Sequence, residues 1–159
     1  MAGDKRLILL AGIPVTGKSH FGRWLSEHHG YAHVDIEKDD VRDSLGLRQV
    51  WDTFATSGDV LPLIAALSRL GPRVIFDWGF PPHYLSAVAN FKSNGAELWW
   101  FDGDHDRARQ EFIKRNTVAL ANFDYQMAQI GQSWNQIAAL FDGSCVGVLE
   151  ANGQRMLPK

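Results

Sequence analysis

The sequence predicts an α/β fold, a three-layer α/β/α sandwich around a five-stranded parallel sheet, on three observations. Five short apolar runs, at residues 5–11, 31–36, 73–76, 96–101 and 145–149, are separated by segments with helical character. Strands that alternate with helices pair in parallel through right-handed crossovers, which cover both faces of the sheet. The first run leads directly into Gly12-Ile13-Pro14-Val15-Thr16-Gly17-Lys18-Ser19, which satisfies G-x-x-x-x-G-K-[ST] at every fixed position.

The elements follow in order. Residues 5–11 read as a buried strand, and Phe21, Trp24 and Leu25 give the next segment one apolar helical face. Strand, loop and helix thus come in the order that a phosphate-binding P-loop requires, and the architecture expected is the P-loop NTPase fold. His28-His29-Gly30 ends the helix, and Ala32, Val34 and Ile36 alternate with Tyr31, His33 and Asp35 in a second strand. The three histidines come without cysteine or H-E-x-x-H, so a helix end and a strand face are favoured over a metal site. Residues 37–43 are dense in charge and lead into a short helix or turn at Ser44-Leu45-Gly46. Asp59 can cap a helix that tolerates Pro62 and has Leu61, Ile64, Ala65 and Leu67 among its apolar positions; Gly71-Pro72 stops it.

A third strand at residues 73–76 ends on Asp77, and Pro81-Pro82 break the chain before a helix at about 83–92. Asn94-Gly95 turns into the run Leu98-Trp99-Trp100-Phe101, a buried strand rather than a platform for stacking bases. Asp104 can cap a polar helix through Asn116. Phe123, Met127, Ile130, Trp134, Ile137 and Phe141 then recur at spacings of three and four, which predicts one long helix with a single buried stripe. Cys145 opens the fifth strand, and residues 150–159 form a tail.

Composition narrows the function classes. At 159 residues and 45% hydrophobic content, the chain is expected to form one domain, 1–159, with a core large enough to fold without staples. A net charge of −2 argues against extended binding to nucleic acid or to anionic membrane. The single cysteine, Cys145, suits a reducing compartment, and no membrane helix or signal peptide is indicated, so a cytoplasmic location is expected.

The P-loop carries the first chemistry. Gly12 and Gly17 let the backbone turn tightly and approach an anion, so that successive N–H groups of the loop from Gly12 through Ile13, Pro14, Val15, Thr16 and Gly17, in which Pro14 alone lacks one, and the positive end of the following helix face the β- and γ-phosphates of ATP. Lys18 adds a mobile cation, and Ser19 places a hydroxyl where Mg²⁺ would bridge the phosphates. Because ligands collect beyond the carboxyl ends of parallel strands, residues 12–19, 35–42, 77–80, 102–104 and 151–154 are expected to converge on one cleft. No guanine-reading N-K-x-D segment occurs, and the chain has no room for the helical lid domain of a motor ATPase.

Asp39-Asp40-Val41-Arg42 beyond the second strand, Val74-Ile75-Phe76-Asp77, and Phe112-Ile113-Lys114-Arg115-Asn116 follow the P-loop in that order. In this order the chain resembles the small-molecule and polynucleotide kinases of the P-loop kinase superfamily. Residues 36–45 and Lys114-Arg115-Asn116 are similar to the acceptor-binding segment and the lid of the kinase domain of phage polynucleotide kinase. Similar segments occur in chloramphenicol phosphotransferase-like and gluconate kinase-like proteins. The resemblance implies that residues 39–42 bind the acceptor hydroxyl, that Asp39 takes its proton, and that Arg115 reaches over the phosphates. No second lid arginine appears between Arg115 and Asp124, so Arg107, Arg109 or Lys114 would complete the charge neutralisation.

Two functions stay open at this point. One is an ATP- and Mg²⁺-dependent kinase acting on a hydroxyl of a small molecule or a nucleic-acid end; the other is a nucleotide-binding or slow ATPase module. Asp39 and Asp40 also suit a helix N-terminus, Asp35 rivals Asp39 as the base, and Arg42 can contact either the acceptor or Asp39. Asp77 is expected to hold Mg²⁺ through water or to bind the acceptor. Trp51, Trp78, Phe80 and Tyr84 are candidates for the acceptor pocket or for core.

Overall fold

The computed structural model describes residues 4–12, 18–79, 84–102, 110, 113–114, 120–141 and 145–147. The strands are β1 (Arg6–Gly12), β2 (Ala32–Asp35), β3 (Arg73–Asp77), β4 (Glu97–Asp102) and β5 (Cys145–Gly147). They form one parallel sheet in the order β2-β3-β1-β4-β5, in which β5 is a three-residue edge. The helices are α1 (Lys18–His29), α2 (Asp39–Ser44), α3 (Arg48–Ser57), α4 (Leu61–Ser68), α5 (Leu85–Ser93), α6 (Leu120–Gln132) and α7 (Trp134–Phe141).

β1 lies at the centre because Ile8, Leu9, Leu10 and Ala11 are apolar on both faces, which only a strand covered twice can bury. Its alternation sorts the core into two layers. Ile8 and Leu10 pack with Ile75 and Phe101 under Phe21 and Leu25 of α1. Leu9 and Ala11 face the opposite way, with Val34, Phe76, Leu98 and Trp100, onto the apolar sides of α3, α4, α5, α6 and α7. Gly12 ends β1 where no other residue fits, because a Cβ there would collide with the carbonyl oxygen of Phe101.

Several expectations are refined. The 123–141 stripe does reach the core, with Phe123, Ile130, Ile137 and Phe141 buried, but it is divided at Ser133 into α6 and α7 rather than forming one helix. Gly131 and Ser133 are poor helix formers, and the break falls there. In α4 the buried residues are Leu63, Ala66 and Leu67, whereas Leu61 and Ala65 are exposed. The N-cap position of α4 is Val60, which offers no side-chain cap, and Asp59 stands one residue earlier, where its carboxylate accepts the Leu61 N–H at 3.1 Å. α3 was not expected; Val50, Trp51 and Phe54 form its inward side. His28 and His29 close α1, and His28 Nδ1 lies 3.0 Å from the Trp24 carbonyl oxygen. The polar helix expected at 104–116 and the tail at 150–159 fall largely or wholly outside the described residues.

Candidate active site at the carboxyl ends of the strands

β2 and β3 end level with each other, since Asp35 and Asp77 are register partners. Alternation puts His33 and Asp35 of β2, and Ile75 and Asp77 of β3, on the side of the sheet covered by α1. α1 begins with Lys18. Two chain segments far apart in sequence therefore deliver carboxylates beside the P-loop lysine.

Lys18 is partly buried. Burial pushes its ammonium below the ordinary lysine pKa, against the opposing pull of Glu37, Asp77 and Asp35. Glu37 Oε1 accepts the Gly79 N–H at 2.5 Å, and a methyl group on Gly79 would stand 3.7 Å from Lys18 Nζ. The lysine head and the Glu37 carboxylate thus both lie against the backbone that follows Asp77.

Asp77 is the only polar or charged residue among the described buried ones. Burial pushes its carboxyl above the usual carboxylate range, a hydrogen bond from His33 works against this, and Asp35 adds to the rise while Lys18 opposes it. His33 Nε2 bonds Asp77 Oδ2, whereas Asp77 Oδ1 is buried with no hydrogen-bond partner among the described residues. His33 was read from the sequence as a strand-face residue, and its bond to Asp77 was not foreseen. Strand alternation does place it on the face of Asp35, but the neighbouring strand that carries its partner is fixed only by the sheet order.

The acceptor-side segment has a different character. Asp39, in the first turn of α2, has a side chain 75% exposed and pairs with Arg42 and, at 3.6 Å, with Arg48. Arg42 is only 12% exposed: Nη1 donates to the Ile36 carbonyl at 2.6 Å, Nη2 donates to Asp39, and Nε is buried without a partner. Arg48 also grips Asp43, with Nη2 3.0 Å from Oδ2, which holds the Asp43 carboxyl below the usual range. Asp35, by contrast, is 14% exposed, and its Oδ2 lies 3.4 Å from Lys38 Nζ. The structure thus gathers Lys18, Asp35, Glu37 and Asp77, and it sets Asp39 outward among arginines.

Of the aromatic candidates, Trp78 is buried and meets Trp51 edge-on at 5.5 Å and Phe54 at 5.6 Å, as core. Trp51 and Tyr84 are half-buried at its border. Phe80, Ile13 to Gly17, Arg107, Arg109 and Arg115 lie outside the described residues, as does the Ser19 side chain. Lys114 is exposed on a helical stretch.

Among the described residues no trio of His, Cys, Asp or Glu is gathered as a metal site. Mg²⁺ bound with a nucleotide needs few protein ligands, because phosphate oxygens and water supply most of its octahedron. Asp77 fits such an ion: a hard oxygen donor at the end of β3 whose Oδ1 is buried without a hydrogen-bond partner among the described residues. No helix among the described residues is long and apolar enough to cross a membrane.

No protein-family model and no curated protein matches this chain. Solved structures do resemble it. A shikimate kinase from Bacteroides thetaiotaomicron superposes with a TM-score of 0.54 at 13% identity, covering 84% of this chain and 82% of its own. A gluconokinase from Sinorhizobium meliloti 1021 gives a TM-score of 0.53 at 16% identity, covering 91% and 82%. Neither is a polynucleotide kinase. At these identities the likeness is one of fold, an α/β architecture with a parallel sheet shared with those two kinases.

Proposed function

We propose that this protein is an ATP-dependent phosphotransferase that moves the γ-phosphate to a hydroxyl group of a small molecule. The observation that carries the proposal is the meeting of Lys18, in its G-x-x-x-x-G-K-S sequence, with Asp35 and Asp77 at the ends of adjacent strands. A module that only binds nucleotide has no need of a second carboxylate at that place. The fold of the two kinases is consistent with this reading.

In the proposed reaction the acceptor oxygen bonds to the γ-phosphorus, the bond from phosphorus to the ADP oxygen breaks, and the hydroxyl proton passes to a carboxylate. We assign that carboxylate to Asp35. It is nearly buried and lies within electrostatic reach of Lys18, whereas Asp39, the residue implied by the D-x-x-R pattern, is exposed and held by two guanidinium groups. Asp39 and Arg42 then form the brace that fixes the 36–42 segment. Lys18 neutralises phosphate charge as it develops, and arginines of the 107–115 stretch are assigned to complete that neutralisation as a closing lid. Mg²⁺, when bound through Asp77 and Ser19, would supply further charge neutralisation across the phosphate oxygens.

A small neutral acceptor suits the site better than a nucleic-acid end. Between residues 35 and 48 five acidic side chains (Asp35, Glu37, Asp39, Asp40, Asp43) face three basic ones (Lys38, Arg42, Arg48), and all three cations are already paired. A polyanion would meet net negative charge. The test is ADP formation with Mg²⁺ across a panel of polyols, amino alcohols and 5′-hydroxyl oligonucleotides. Stimulation by small hydroxyl compounds is expected; turnover indifferent to every acceptor would point instead to a nucleotide-binding or slow ATPase module.

A further inference from the structure

We infer that His33 is a positioning residue for Asp77, fixing one carboxylate oxygen so that the other is presented to the hydrated Mg²⁺ of a bound nucleotide. The inference rests on the nucleotide reading of the P-loop.

Three features of the structure support it. The ring of His33 is 15% exposed and the Asp77 carboxylate 3% exposed, so their bond is shielded from water. With Asp77 ionised, Nε2–H is the donor, and the bond takes up Oδ2 alone. Oδ1 stays buried and without a partner among the described residues. A buried oxygen without a hydrogen bond is costly to the fold, and a purely structural pair has no reason to bear that cost.

The second feature is the slot that holds the ring. A Cβ at position 22 would overlap Cδ2 and Nε2 of His33, so Gly22 is what lets the imidazole lie flush against α1. The third is connectivity: α1 opens with Lys18, so the ring spans the helix that carries the phosphate-binding lysine and the carboxylate at the end of β3. A tilt of His33 would rotate Asp77 relative to Lys18. Partners that orient a ligating carboxylate in this way typically matter by about 10–100-fold in metal affinity.

The experiment is calorimetric titration of ATP with and without Mg²⁺, on wild type, His33→Leu, His33→Gln and Gly22→Ala. In wild type, Mg²⁺ is expected to tighten ATP binding. His33→Leu should erase about 10–100-fold of that Mg²⁺ advantage while Mg²⁺-free ATP binding stays near wild type. His33→Gln, which offers an N–H at similar reach, should restore part of it. Gly22→Ala should reproduce the loss without altering either partner, and it keeps the question answerable if His33→Leu does not fold. A Mg²⁺ advantage intact in folded His33→Leu or Gly22→Ala overturns the positioning role alone. Equal loss of ATP and MgATP affinity overturns it in favour of a structural pair. Wild type that binds ATP under neither condition sinks the nucleotide reading, and the role of His33 with it.

Discussion

Asp35 and Asp77 stand side by side in register at the carboxyl ends of two adjacent parallel strands, and the Ile36 N–H donates to the Asp77 carbonyl at 3.3 Å to lock that alignment. Neighbouring carboxylates at the mouth of the proposed phosphate site invite distinct roles, one toward the acceptor and one toward the metal. Lys18 sits within electrostatic reach of both.

The first prediction separates Asp35 from Asp39. Asp35→Asn keeps size and hydrogen bonding but removes the proton acceptor, so transfer should fall about 10²–10⁴-fold while nucleotide binding survives. Asp39→Asn loses an exposed ion pair worth about 1 kcal/mol at most, so transfer should fall less than about fivefold. Single-turnover rates at saturating ATP measure both. The opposite ranking returns the base to Asp39.

Lys18 yields a prediction about stability as well as turnover. Its folded-state pKa is depressed, chiefly by burial, so between that value and the ordinary lysine pKa the unfolded chain binds more protons and stability rises with pH. Below that window the burden of the buried ammonium is fully present. Lys18→Met should therefore raise the Tm of the nucleotide-free protein at neutral pH, with the gain shrinking as pH climbs toward 10.5, and it should abolish turnover. Thermal melts from pH 7 upward check the sign; a lowered Tm at neutral pH contradicts it.

Arg42 is predicted to act as a brace. Arg42→Ala removes the exposed pair with Asp39 and the part-buried bond to the Ile36 carbonyl, and a shielded charged hydrogen bond like the latter contributes about 1.5–3 kcal/mol. Arg42→Lys should recover little, because a single ammonium cannot span both acceptors. Urea denaturation measures the difference. Full stability in Arg42→Ala would free the guanidinium for a direct role with the acceptor.

The parts of the fold set by local pattern could be read from the chain alone. The run from Leu7 to Ala11 marked β1 without help from tertiary contacts, and Phe21, Trp24 and Leu25 marked the helix that begins at Lys18. α3 was missed because no N-terminal side-chain cap announces it and only Phe54 among its residues is fully buried, although Gly58, in the left-handed conformation, closes its far end. Periodicity alone ran α6 and α7 together, because spacing records which side chains face inward and says nothing of a break at Ser133. The site shows the same division. Asp77 was visible as the polar end of an apolar strand, but its bond to His33 depends on β2 lying next to β3, which is decided by topology. Likewise D-x-x-R favoured Asp39 with Asp35 as its rival, and the exposure of Asp39 between Arg42 and Arg48, which no local pattern records, is what weighs for Asp35.

The most direct test follows the γ-phosphate itself. ATP labelled at that position is mixed with enzyme, Mg²⁺ and the acceptors that best stabilise the protein to heat in the presence of a non-hydrolysable nucleotide. The label is then traced by separating products. Phosphotransfer predicts label in an organic phosphate ester, formed one for one with ADP and lost in Lys18→Ala. Label recovered only as inorganic phosphate, at a rate that no acceptor alters, would contradict the kinase assignment.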